Sequence, residues 1–174
     1  PTRRSSDLID WISNGQIKDY MGRHQFDTDA LPLWDHFQAV ISWARQTFPK
    51  YRKEMKGLDW GGFYREFGTA SLDPVALEAE VARLMADEEV ENKKGIYEYV
   101  LTRKERYLNL RTFSNSQKTT LYERQAGICA HCGKQFQIGE MEADHINPWH
   151  SGGKTEIANG QMLCREDNRL KSGK

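Results

Sequence analysis

Two groups of residues in the last third of the chain are of types that do chemistry. Cys129 and Cys132 form a Cys-x-x-Cys pair in "ICAHC", and Cys164 in "LCREDN" stands where a second such pair would open. The residue three after Cys164 is Asp167. Zinc takes thiolate, imidazole and carboxylate ligands. Three thiols and a carboxylate are therefore a zinc site with one oxygen ligand, a decayed zinc site, or no zinc site. The second group is Asp144, His145, Asn159 and Asn168. An imidazole takes up a proton near neutral pH, and carboxylate and amide oxygens suit hard divalent cations. Singly, each has an ordinary explanation: Asp144 as a turn cap, His145 as a core imidazole, Asn168 as a helix surface residue. The joint pattern points to chemistry.

The elements that must position these residues are short. "EADHINPWHSGG" reads as the end of a strand running into a Gly-containing loop. "QMLC" reads as a second strand and "REDNRLKS" as about two turns of helix. The order strand, loop, strand, helix puts Asp144 and His145 at the first strand's end, Asn159 in the loop and Asn168 on the helix. A helix folded over the strand pair would bring both ends of the segment together. Just upstream, "FSNSQKTTLYERQAG" predicts a helix opened by a Ser114–Gln117 capping box and stopped at Gly127.

This segment resembles the HNH endonucleases, whose active site is the ββα-metal fold. The resemblance is carried by Asp-His-Ile-x-Pro, Gly-Gly-x-Thr, Asn, and Leu-Cys-x-x-x-Asn-Arg-x-Lys, with the flanking Cys-x-x-Cys, over residues 129–172. It implies hydrolysis of a phosphodiester with a divalent metal, Mg²⁺ or another such as Mn²⁺, Ni²⁺ or Co²⁺. His145 is implied as the general base that activates water, and Asp144 and Asn168 as ligands of the catalytic ion. Asn159 is implied as the central Asn that fixes the loop and orients His145. Arg169 and Lys171 would contact DNA phosphates, and His150 would be an auxiliary ligand or a further phosphate contact. Cys129, Cys132 and Cys164 are placed as structural zinc ligands. Asp167 stands where a fourth Cys is usual, with His131 or water as other fourth ligands. Asp167 and its neighbour Glu166 would also suit the first turn of a helix through the helix dipole. A weaker likeness upstream, in "LWDHFQAVISW", "FPKYRKEMKGLDWGGFYREFG" and "KKGIYEYVLT", is to the region preceding the HNH domain in large bacterial restriction-type proteins. It implies a ParB/sulfiredoxin-like sensing domain outside this chain.

The rest of the chain predicts a helical region over 1–112, followed by the nuclease-type domain over 113–174, an α+β chain. The 174 residues suffice for one ordinary domain or two small ones. Leu33, Phe37, Val40, Ile41, Ala44 and Phe48 form one apolar stripe that Pro49 stops. In "SLDPVALEAEVARLMADEEV" Asp73 can cap a helix with Pro74 in its first turn, and Leu72, Val75, Ala79, Ala82 and Met85 share a face. "KGLDWGGFYREFG", between them, is expected as a loop packed through Trp60, Phe63, Tyr64 and Phe67. The small C-terminal piece would gain from a metal staple.

Net charge is zero, so composition announces no nucleic-acid binder. Residues 43–56 and 93–111 are locally basic, with five Lys or Arg against one acid and six against two. Such stretches follow a phosphate backbone or are solvated helix faces. Residues 73–91 carry seven acids against one Arg. Three Cys are too few for a disulfide framework and read as free thiols or ligands. No membrane span or signal peptide is visible, and a start at Pro1 is expected of a fragment or processed product. The leading expectation is a cytoplasmic, bacterial or phage, double-stranded-DNA endonuclease of restriction or antiviral defence. The alternatives are a non-catalytic DNA-binding module on the same scaffold and a zinc-stapled interaction domain. Double-strand cutting by one active site asks for a dimer, and no dimer surface is legible.

Overall fold

The structure, a computed structural model, describes residues 5–171. It divides into two compact units. One comprises the chain up to Asp87 together with Asn92–Asn109, and the other Glu88–Glu91 with the chain from Leu110 onward.

The first unit is helical: α1 (Ser5–Ser13), α2 (Ile17–His24), α3 (Leu31–Thr47), α4 (Trp60–Phe67), α5 (Pro74–Ala86) and α6 (Gly95–Thr102). The stripe of α3 buries Val40 and Ala44, and Phe48 at its end is buried. Pro49 follows and cannot continue the helix. Phe48, Trp60 and Tyr97 form the centre of the core, with ring centroids 5.2–5.9 Å apart in tilted and edge-on pairs. At the rim, Arg52 grips the Glu78 carboxylate with both guanidinium ends.

Two expectations for this unit are corrected. The Gly- and aromatic-rich stretch is a helix, α4, because Asp59 accepts from the Gly62 N–H and caps it. Gly61 is there for packing, since a Cβ on it would lie 2.0 Å from Trp11 Cγ, while a Cβ on Gly62 would lie 2.3 Å from the Asp59 carboxylate that caps the helix. In α5 the cap is as expected, Asp73 accepting from the N–H groups of Val75 and Ala76. The buried face, however, is Leu77, Val81 and Leu84, while Val75 is 80% exposed. That face collects the bulkier side chains at four- and three-residue spacing, and they bury more apolar area than the alanine-rich face.

The second unit holds α7 (Asn115–Arg124), an antiparallel pair of strands β1 (Met141–His145) and β2 (Gly160–Cys164), and α8 (Arg165–Lys171). Ser114 and Gln117 form the capping box of α7. The strands pair Met141 with Cys164 through His145 with Gly160. Leu121, Met141, Met162 and Leu163 are fully or nearly fully buried, with Phe113, Tyr122, Phe136 and Ile157 packed on them. Gln125, just past α7, stands in for a strand neighbour. Its amide oxygen accepts from the Met162 N–H at 2.7 Å, and its NH₂ donates to the Met162 carbonyl at 3.1 Å. The sheet thus gains an edge partner without a third strand. The short stretch Glu88–Glu91 joins the same unit through a bridge from Val90 to Leu110 and a bond from the Arg111 N–H to the Glu89 carbonyl at 2.8 Å.

Candidate active site

Side chains alternate across a strand, and β1 uses both faces. Met141 and Ala143 point to the core, and His145 continues that face, half-buried with its ring 4.6 Å from the Phe113 ring. Glu142 and Asp144 point the other way, towards α8. Asn168 and Lys171, three residues apart on α8, meet them one to one. The Asn168 NH₂ donates to Glu142, and the Lys171 ammonium donates to Asp144 and to the His145 carbonyl. A carboxylate only accepts, so the Asn168 amide oxygen is turned away from Glu142. Gln161, opposite Asp144 in the register, donates to the same carboxylate at 3.1 Å.

The loop between the strands is clamped by Asn159. Its amide oxygen accepts from the Asn147 N–H at 2.9 Å, and its NH₂ donates to the carbonyls of Asn147 and Lys154 at 3.0 and 2.9 Å. All three bonds go to backbone, each worth about 1 kcal/mol net. The loop presses so close that a Cβ on Gly153 would lie 1.8 Å from the Asn147 carbonyl oxygen. Gly152 before it takes φ +87°, the left-handed region. These two needs account for the Gly-Gly pair. Thr155, buried two residues on, brings its hydroxyl within 2.9 Å of His145 Nε2.

On the far side of the hairpin, the sulfurs of Cys129, Cys132 and Cys164 and a carboxylate oxygen of Asp167 lie within 4.8 Å of one another. Asp167 Oδ2 is 3.1 Å from both the Cys129 and the Cys164 sulfur, and its other oxygen is 3.1 Å from His131 Nδ1. Asp167 thus faces the thiols, and His131 meets Asp167 rather than the sulfurs.

Residues 129–174 match the HNH endonucleases. No curated protein matches the chain. The match covers the knuckle, both strands and α8, and it places nuclease-type chemistry in this segment. The expected α+β fold, with a helical region before a strand–strand–helix HNH segment, is what the structure has.

Electrostatics in the HNH segment set the protonation states. Burial lowers the His145 pKa below the ordinary 6.5, and Lys171 lowers it further. The Asp144 and Glu89 carboxylates oppose this without reversing it. His145 is therefore neutral at pH 7 and able to accept a proton. In the cysteine cluster, burial would raise the Cys129 thiol, but the backbone N–H groups of Cys132, Cys164 and His131 outweigh it and lower it. The Lys134 N–H works to lower Cys132, yet the Asp167 carboxylate, burial and the other two thiols push it up to about 11. The contacts from Cys132, Cys129 and Cys164 hold the Asp167 carboxyl well below the usual carboxylate range. One carboxylate among three thiols repels further negative charge. A divalent cation at the centre would remove that repulsion and make thiolates of all three. The donor set therefore fits zinc, with His131 as the outer partner that orients the carboxylate.

The oxygen group fits a hard divalent ion in chemistry: a carboxylate from Asp144, an amide oxygen from Asn168, and Glu142 beside them. The Lys171 ammonium and the Gln161 NH₂ share one oxygen of Asp144, Oδ2. Of the expected DNA contacts, Arg169 is exposed on α8 and His150 is exposed in the turn Trp149–Ser151. Lys171 is engaged with Asp144. Glu142 and Gln161 escaped the sequence reading, and Thr155, the Thr of the Gly-Gly-x-Thr motif, had no role in it. Glu142 had a signal, since it stands two residues before Asp144 on a strand and so shares its face.

Proposed function

We propose that this protein is a metal-dependent DNA endonuclease. The carrying observation is that Asp144 and His145, consecutive on β1, point to opposite sides of the strand end. Asp144 meets α8, and His145 stands on the side held by Thr155. A metal ligand and a base are thus neighbours in sequence without being paired to each other. His145 takes a proton from water, the water oxygen bonds to phosphorus, and the bond from phosphorus to the 3′ oxygen breaks. The freed 3′ oxygen collects its proton from solvent. Asn159 keeps the loop closed so that Thr155 stays against His145. A bound Mg²⁺, Mn²⁺, Ni²⁺ or Co²⁺, held by Asp144 and Asn168 with Glu142 beside them, would neutralise charge on the phosphate and the departing oxygen. Zinc in the Cys129, Cys132, Cys164 and Asp167 cluster would staple the knuckle to α8. Arg169 and His150 face outward, where a phosphate backbone can reach them. Double-stranded DNA is the substrate, in restriction or phage defence in a bacterial or phage-infected cytoplasm, with a sensing domain outside this chain. Among the described residues no helix is long and apolar enough to cross a membrane.

The contact between Lys171 and Asp144 favours a second reading, a DNA-binding module in which the ammonium stands where the metal would. Plasmid cleavage across the four divalent metals, on methylated and unmethylated DNA, separates the two. Metal-dependent nicking or cutting that His145→Ala abolishes supports the nuclease. Salt-sensitive DNA binding with no cleavage in any metal supports the module.

A further inference from the structure

His145 Nε2 lies 2.9 Å from the Thr155 hydroxyl oxygen, and which of the two donates decides which ring nitrogen is basic. The other neighbours of that hydroxyl settle the direction. They are the Glu89 carboxylate, in a short hydrogen bond, and the Arg111 carbonyl at 3.1 Å. Both are acceptors without a proton to give. A hydroxyl has one proton, and the carboxylate or the carbonyl takes it. Towards His145 the Thr155 oxygen is left only its lone pairs, so the imidazole must donate from Nε2. Glu89 also accepts the Thr155 backbone N–H at 3.0 Å, so one carboxylate oxygen holds both the main chain and the side chain of this residue. Thr155 is buried and Glu89 half-buried, so water competes poorly for these bonds.

We infer that Glu89 and Thr155 are positioning residues that keep His145 protonated at Nε2 and leave Nδ1 as the basic nitrogen. Nδ1 makes no hydrogen bond to protein among the described residues. Glu89 lies outside the family match at 129–174 and 66 positions before Thr155. It comes from the acidic run 73–91. The catalytic part of the inference rests on the nuclease reading; the tautomer does not.

The test uses ¹⁵N-labelled histidine in the full chain and long-range ¹H–¹⁵N correlation of the imidazoles at neutral pH, with His145→Ala to assign the signals. The wild type is expected to show Nε2 protonated and Nδ1 bare. Thr155→Val is expected to give a mixture of tautomers, and Thr155→Ser to restore the wild-type pattern. A wild type with the proton on Nδ1, or a Thr155→Val variant that is folded and keeps the wild-type tautomer, overturns the inference. In cleavage assays, Glu89→Gln and Thr155→Val are expected to lower kcat about 10-fold or more with KM within about twofold, and Thr155→Ser to recover most of it. Equal kcat in all variants of a wild type that cleaves overturns the catalytic part. A wild type that cleaves nothing while showing the expected tautomer sinks the nuclease reading and supports the tautomer assignment.

Discussion

The ammonium of Lys171 sits on the carboxylate of Asp144 and on the carbonyl of the next residue, His145. Lys171 and Asn168 are three apart on α8, so both reach β1 from one helix face. The ammonium holds one oxygen of Asp144, so a divalent ion binding this carboxylate would meet a like charge beside it. Lys171→Met is therefore expected to lower the Mn²⁺ concentration for half-maximal binding about two- to fivefold, the scale of one partly exposed ion pair. Titration calorimetry on wild type and variant measures it. Weaker metal binding by the variant would show that Lys171 supports the site instead of blocking it.

His145→Ala removes the imidazole on the core-side face of β1, and Asp144→Asn removes the carboxylate proposed as a metal ligand beside it. His145→Ala is expected to slow plasmid cleavage by about 10²–10⁴-fold, the usual worth of a general base, and Asp144→Asn to slow it by weakening the hold on the metal. Melting temperatures should stay close to wild type, because both side chains lie at the strand end rather than in the centre of the core. Cleavage at the wild-type rate by folded His145→Ala protein would assign the base to another group.

Zinc content offers a check that does not depend on cleavage. The Cys129, Cys132, Cys164 and Asp167 cluster is expected to hold about one zinc per chain in protein purified without chelators. Stripping the metal should melt the second unit first, because its core is small and two of the proposed ligands, Cys129 and Cys164, are part of it. Cys164→Ser should do the same. Elemental analysis giving below about 0.2 zinc per chain would reject a structural zinc.

The first unit should carry its own acid sensitivity. The Arg52 guanidinium, hydrogen-bonded to Glu78, holds that carboxyl below its ordinary value of 4.5. A carboxyl whose folded-state pKa is depressed adds stability above the unfolded value, lost as pH falls through the folded one. The midpoint of urea unfolding should therefore decline as pH drops below about 4.5. In Glu78→Gln it should be lower at pH 7 and flatter with pH. Parallel pH curves for the two proteins would remove the pair from the account.

Much of the HNH segment was legible because its signals are local. The Ser114–Gln117 capping box, the Asp-His pair at a strand end and the strand–loop–strand–helix order each arise within a few residues, where type and spacing carry the information. The same holds for the stripe of α3 and the Asp73 cap of α5. Local signals also misled. Glycines at 61 and 62 suggested a loop, yet Gly61 is small so that Trp11 can lie against α4. In α5 two faces were apolar enough to bury, and only contact with the rest of the core selected Leu77, Val81 and Leu84.

By itself the sequence determined the strand–loop–strand–helix order, the segment that resembles the HNH endonucleases and the types of atoms available for chemistry. The tertiary structure alone decided which of those atoms meet. Glu89 reaches Thr155 across 66 positions, Lys171 reaches Asp144 across 27, and Asp167 meets Cys129 across 38. Contacts at such separations follow from how the chain closes its loops and packs its core, and no short stretch of residues encodes them.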